Sequence, residues 1–210
     1  MNYVNNYEKS GKIGKYNRYI LMSKSPRRRD LLSFLKPEID SIGIDERAIE
    51  EKYMKKYKSC DFIERAGKTC AEIAKAKSDV DLIKGYIYIS SDTMVIMDGK
   101  IYGKPRDMIE ARRMFMSYFG KSHFVVTGVC LRSENYLDVF YSLAEVRFTD
   151  YYRALDGIID DYLKEENVMD KAGAYGIQDL DPILISYING DINTIIGLPV
   201  SEVSRRILGE

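Results

Sequence analysis

The decapeptide "SKSPRRRDLL" at 23–32 places three arginines directly behind a proline and two serines. The first turn of a helix carries unpaired N–H groups and partial positive charge, so further cations there oppose the helix dipole unless something negative meets them. Arg27 and Arg28, with the hydroxyl of Ser23, therefore read either as a phosphate cradle or as a solvated basic turn. In "SSDT", Asp92 and Thr93 follow a short apolar run; a carboxylate at a strand end can hold a divalent cation or act as a base toward water, or merely cap the next turn. Lys104 in "DGKIYGKP" sits between Gly103 and Pro105, which suits a cation held over a phosphate and equally suits an exposed turn. "IDE" offers Asp45 and Glu46 as paired carboxylates for Mg²⁺ or as ordinary acidic loop residues. Lys77, in "AKAKS", reads as a surface lysine when taken alone. "DKAGAYGIQ" is less ordinary: its small residues permit close backbone approach, while Tyr175 and Gln178 can stack on and hydrogen-bond to a planar ring.

Composition narrows the chemistry. The 210 residues contain 32 Lys+Arg and 32 Asp+Glu, so bulk charge does not favour nucleic acid or a membrane surface, and anion recognition must be local. Cys60, Cys70 and Cys130 are far apart and form no CxxC, which argues against a disulfide framework or a zinc ribbon. With one histidine, His123, histidine-rich zinc sites are excluded, and a metal would be a hard cation such as Mg²⁺ or Mn²⁺ on oxygen ligands. His123 itself reads as structural. No signal peptide or bilayer-length apolar run is present, so a cytoplasmic protein is expected.

Elements must position these groups. Residues 1–18 are polar and read as a mostly flexible lead-in to a domain over 19–210. "YILM" at 19–22 predicts a strand, and Ser25-Pro26 then opens a helix that Pro37 stops. The apolar spacing over 61–78 predicts another helix. Residues 86–90 read as a strand ending just before Asp92, with a turn at Asp98-Gly99 beyond it. Asp107 with Glu110 resembles a capping box opening a helix that Gly120 ends. Strands are expected over 123–132 and 136–148, a helix around 150–165, and a loop through 169–179. A hairpin about "NGD" (183–188 with 192–196) and a final helix from "GLPVSEVSRRIL" complete the chain. This alternation predicts an α/β protein with a mixed twisted sheet and flanking helices.

The blocks "SKSPRRRDLL", "IDE", "AKAKS", "SDTMVIMDGKIYGKP", "HFVVTGV", "AEVRF", "MDKAGAYGIQ" and "NGDINTIIGLP", in this order from Ile20 to Leu208, resemble the Maf family of nucleotide pyrophosphatases, once described as septum-formation inhibitors. The resemblance implies two lobes around a cleft, as in inosine-triphosphate pyrophosphatases, and often a homodimer. It also implies metal-dependent hydrolysis of a nucleoside triphosphate to the monophosphate and pyrophosphate. "AGAYGIQ" resembles the class acting on dTTP, UTP and modified pyrimidine nucleotides. Asp92 matches the family's proton acceptor; Arg27, Thr93 and Gln178 match positions tied to base choice. Ser23, Arg28, Glu46, Lys77 and Lys104 match the polar cluster around phosphates and metal, with Glu46 and Asp92 as the metal carboxylates. The chain departs from the family's pattern at Ser90-Ser91, usually Gly-Ala, at Asp179, usually Gly, and at Asn193-Thr194, usually apolar. Two other functions remain open at this level: a pyrophosphatase for 7-methyl-GTP or another purine, and a nucleotide-binding cell-division regulator with little turnover.

Overall fold

In the computed structural model, which describes residues 3–165 and 168–208, the elements run β1 (Val4–Gly11), β2 (Arg18–Met22), α1 (Pro26–Leu31), β3 (Glu38–Asp40), α2 (Glu46–Lys56), α3 (Phe62–Lys77), β4 (Tyr86–Met97), β5 (Lys100–Tyr102), α4 (Met108–Met116), β6 (Ser122–Ser133), β7 (Tyr136–Phe148), α5 (Asp156–Glu165), β8 (Ile185–Gly190), α6 (Ile192–Ile196) and α7 (Val200–Leu208). The strands form one eight-stranded mixed sheet in the order β1-β7-β6-β4-β2-β3, with β5 on β4 and β8 on β7. β2 runs parallel to β3 and β4, whereas β4, β6 and β7 form an antiparallel meander. This is the helix-flanked mixed sheet the alternation predicts.

Most helices begin where their caps require. The Asp61 carboxylate accepts from the N–H groups of Ile63 and Glu64 at the start of α3. Asp107 accepts from Glu110 N–H, and Glu110 reaches back to the Arg106 N–H, a capping box on α4 shifted by one residue. α3 buries a face of small residues, including Ala66, Gly67, Cys70, Ala71 and Ala74, against β4, β6 and β7. It lies close because β6 offers no side chain at Gly128: a Cβ there would sit 2.3 Å from the Cys70 carbonyl carbon and 2.4 Å from the Ala71 nitrogen. On the other face of the sheet, α7 covers Ile87 and Ile89, while α4 and α5 cover Val95 and Met97.

Several expectations are corrected. The lead-in is not flexible throughout: residues 4–11 form an edge strand antiparallel to β7, tied down by Lys75–Glu8 (2.6 Å) and Lys9–Asp138 (3.2 Å) ion pairs. A polar edge strand has little apolar signature of its own, because its partners supply the order. The "NGD" segment is not a hairpin; β8 pairs with β7, and Asp191 caps α6 by accepting from Asn193 N–H. "IDE" is not a loop of paired carboxylates, since Asp45 accepts from Ala48 N–H as the N-cap of α2, leaving Glu46 in the first turn.

Candidate active site

β4 does not end before Asp92; it runs unbroken from Tyr86 to Met97, and Asp92 sits in mid-strand opposite Gly128. The polar run Ser90–Thr93 imitates a strand end in sequence, yet its ladder with β6 is continuous. On its other side the pairing is broken. β2 leaves β4 after Leu21↔Ile89, and β5 begins only at Val95↔Tyr102, so among the described residues no strand pairs with residues 90–94 there. A cleft of about 1410 Å³ opens at this gap. Because it opens at an edge of the strand, it receives side chains from both faces of the sheet.

Strand alternation sorts those side chains. Ser90 and Asp92 face α3: the Ser90 hydroxyl donates to the Ala74 carbonyl at 2.6 Å, and Lys77 Nζ, in the last turn of α3, lies 2.8 Å from Asp92 Oδ1. Lys77 also reaches Glu46 Oε1 at 3.0 Å, so one ammonium bridges a carboxylate of β4 and one of α2. Ser91 and Thr93 face α1 and α6: the Ser91 hydroxyl donates to the Gly197 carbonyl at 3.0 Å, and Thr93 Oγ1 lies 2.9 Å from Thr127 Oγ1. Thr127 then donates to the Thr194 carbonyl, and Ser142 and Thr194 share a hydrogen bond of 2.8 Å. The departures Ser90, Ser91 and Thr194 are thus buried hydroxyls, each with a partner, tying β4 to α3, β4 to the end of α6 and α6 to β7 respectively.

The arginine knot divides. Arg29 turns outward toward Asp30, at 3.8 Å. Arg28 turns into the cleft, where Nε donates to the Gly197 carbonyl at 3.0 Å, Nη2 to Thr93 Oγ1 at 3.1 Å and Nη1 to Ser23 Oγ at 3.4 Å. These acceptors are neutral, and among the described residues no carboxylate pairs directly with Arg28. Desolvation lowers the Arg28 pKa from the ordinary guanidinium value, while Asp92 acts in the opposite direction. Arg27 borders the same cleft, as does Lys104, an exposed side chain with no ion pair among the described residues. An anion entering here meets Arg28, already held in place by three neutral acceptors, and the further cations Arg27 and Lys104 on the same cleft.

The loop 171–178 forms the opposite wall. Gly173 N–H donates to the Gly103 carbonyl at 3.0 Å, which places the loop beside Lys104. Gln178 is exposed at the cleft, but Tyr175 is not available as a stacking platform. It is only 6% exposed, and its hydroxyl lies 2.6 Å from His123 Nε2 within a nest containing Tyr118 and Phe148. Tyr175 therefore borders the cleft from beneath, supporting the loop instead of offering its ring.

Ten of the residues singled out in the sequence border the cleft, namely Ser23, Arg27, Arg28, Glu46, Lys77, Asp92, Thr93, Lys104, Tyr175 and Gln178, whereas Asp45, offered with Glu46 as a paired carboxylate, caps α2 instead. Lys77 is thus placed in the site, where its sequence context alone reads as surface. Sequence reasoning missed Glu50 and Lys171. Glu50 stands one helical turn after Glu46 on α2, and would have emerged had Asp45 been recognised as a cap; desolvation, then Asp92, raises its pKa. Lys171 lies in the quoted loop and is buried, with Nζ 3.2 Å from Asp179 Oδ2.

A family model for Maf-like proteins matches residues 18–209. A dTTP/UTP pyrophosphatase of Thermotoga maritima is 36% identical over 190 residues, covering 89% of this chain and 86% of that protein. One of Pyrococcus furiosus is 36% identical over 192 residues (90% and 93%), and one of Lacticaseibacillus casei is 36% identical over 195 residues (91% and 98%). With the family model spanning nearly the whole chain and these relatives matching over most of their own lengths, the protein belongs to the Maf-like family.

Proposed function

We propose that this chain hydrolyses nucleoside triphosphates, with dTTP, UTP and related pyrimidine nucleotides preferred, to the monophosphate and pyrophosphate in the cytoplasm. The observation that carries the reading is the placement of Asp92. It is a 9% exposed carboxylate on β4, held by Lys77, and it lines the same cleft as Arg28 and the exposed Lys104. The names of the relatives at 36% identity support the reaction and the pyrimidine class.

In this reading Arg27, Arg28 and Lys104 neutralise the triphosphate and hold it along the cleft. Asp92 accepts a proton from the water that attacks the α-phosphorus. The bond from that phosphorus to the bridging oxygen breaks, and pyrophosphate leaves with the electron pair. Lys77 keeps Asp92 in place from the α3 side.

A divalent cation fits the donors present. Lys77 Nζ, within 3.0 Å of both Glu46 Oε1 and Asp92 Oδ1, brings the two carboxylates together while engaging only one oxygen of each. Among the described residues, no group of three or more His, Cys, Asp or Glu side chains is placed to cage a metal unaided. Glu46 and Asp92 would hold Mg²⁺ or Mn²⁺ together with phosphate oxygens, the usual arrangement for a cation that arrives with its nucleotide. When bound, such an ion supplies Lewis-acid stabilisation of charge on the phosphates.

Pyrophosphate release from dTTP, UTP, CTP, GTP and 7-methyl-GTP with Mg²⁺ tests the proposal. Turnover of dTTP and UTP is expected, abolished by chelation and restored by added metal. Silence across the panel with Mg²⁺ and with Mn²⁺ would overturn it, and strongest turnover of 7-methyl-GTP would move the protein to the purine class.

A further inference from the structure

Asp179 lies behind the cleft wall. One of its oxygens, Oδ2, accepts from Gln178 Nε2 at 2.9 Å and lies 3.2 Å from Lys171 Nζ. Lys171 is buried, whereas Gln178 is exposed at the cleft. The small residue beside them creates the room: a Cβ on Gly176 would fall 2.5 Å from Asp179 Oδ2, 3.0 Å from Gln178 Nε2 and 3.1 Å from Lys171 Cε. Carboxylate, amide and ammonium are therefore packed as a unit over a glycine.

An unconstrained glutamine amide can turn over, offering either a donor or an acceptor. An ionised carboxylate only accepts, so beside Asp179 the –NH₂ arm must face inward. The carbonyl oxygen, Oε1, is then the arm left for the cleft. Uracil and thymine carry a ring N3–H donor between two carbonyls, while cytosine has an acceptor nitrogen at the same position. A fixed Oε1 pairs with the first and opposes the second.

We infer that Asp179 is a specificity-determining positioning residue, which, held by Lys171, locks Gln178 as a hydrogen-bond acceptor selective for uracil and thymine over cytosine. This rests on the pyrimidine-nucleotide reading above. Discrimination of this kind is strong because the wrong partner leaves a polar group opposed, not merely unpaired.

The test measures two quantities in wild type, Asp179→Asn and Asp179→Gly. The first is the ratio of kcat/KM for UTP to that for CTP. The second is the affinity for the α,β-methylene analogues of UTP and CTP by calorimetry, which needs no turnover. Wild type is expected to favour uracil in both. Either substitution should cut that preference about tenfold, with the loss falling on KM for UTP more than on kcat, because the base is remote from the cleaved bond. Asp179→Glu, which retains the carboxylate, should recover part of it.

An unchanged preference in both Asn and Gly variants would overturn the inference while leaving the hydrolytic reading intact. A wild type that turns over nothing yet binds with an Asp179-dependent preference would sink the hydrolytic reading and keep the inference. Absence of any base preference in the wild type would also overturn it.

Discussion

Asp92 and His123 sit on neighbouring strands, β4 and β6, and either could act as a base, but their surroundings send them to different tasks. Asp92 occupies the stretch of β4 between its pairings with β2 and β5, so its carboxylate borders the cleft as well as Lys77. His123 lies next to the last pair of the β4–β6 ladder, 1% exposed, among Tyr118, Phe148 and Tyr175. Burial lowers its pKa to about 3, and among the described residues its Nδ1 has no partner, so it is neutral across the physiological range. Its Nε2 lies 2.6 Å from the Tyr175 hydroxyl, which keeps that ring under the cleft wall instead of open to a ligand. Chemical type nominates a residue; solvent access and partners decide whether it can act.

The largest effect that would sharpen this contrast comes from Asp92→Asn. Turnover is expected to fall ~10²–10⁴-fold, the usual worth of a positioned base. Thermal stability should change little, because Lys77 keeps Glu46 as an ion-pair partner. Retained turnover in a folded Asp92→Asn protein would remove Asp92 from the chemistry. Next comes Lys104→Ala, which deletes an exposed cation that forms no ion pair among the described residues. We expect about a tenfold rise in KM for the triphosphate, with stability within about 0.5 kcal/mol of wild type, as for surface substitutions generally. An equal effect on monophosphate binding would place Lys104 away from the β- and γ-phosphates.

His123→Gln tests the other half of the comparison. Because the folded pKa lies below the ordinary value of 6.5, the unfolded chain takes up this proton first as pH falls. The stability from burying neutral His123 is complete above pH 6.5 and is lost as pH drops toward 3, by at most about 1.4 kcal/mol per pH unit. Denaturant titrations of the Gln variant should therefore show a shallower acid-side loss between pH 6.5 and 5, with turnover at neutral pH retained. A collapse of turnover in a folded His123→Gln protein would abolish the distinction between the two regions. The smallest effect is expected for Ser91→Ala, about 1 kcal/mol or less. The Gly197 carbonyl would keep its bond from Arg28, so a larger loss in a melting experiment would mean that Ser91 does more than tie β4 to α6.

Parts of this architecture were legible in the residues themselves. The small face of α3, the Asp107–Glu110 cap, the length of β6 and β7 and the helical pattern after Pro199 all depend on neighbours within a turn or a pleat. So did the inventory of charged groups, since a triphosphate requires cations and a carboxylate wherever they come from. A lone glycine inside a strand, such as Gly128, is a usual sign of close backbone approach, but that Cys70 and Ala71 of α3 are what approach it is not written locally.

What the sequence by itself determined is therefore the set of reactive groups, their order and most helices and strands, because caps and periodicity act over short range. Tertiary structure alone decided that β4 runs through Asp92, that its pairing is interrupted at residues 90–94, that a polar lead-in becomes an edge strand, and that Tyr175 turns toward His123. Each of these depends on which distant segment supplies hydrogen bonds and excludes water, and short-range pattern does not encode that choice.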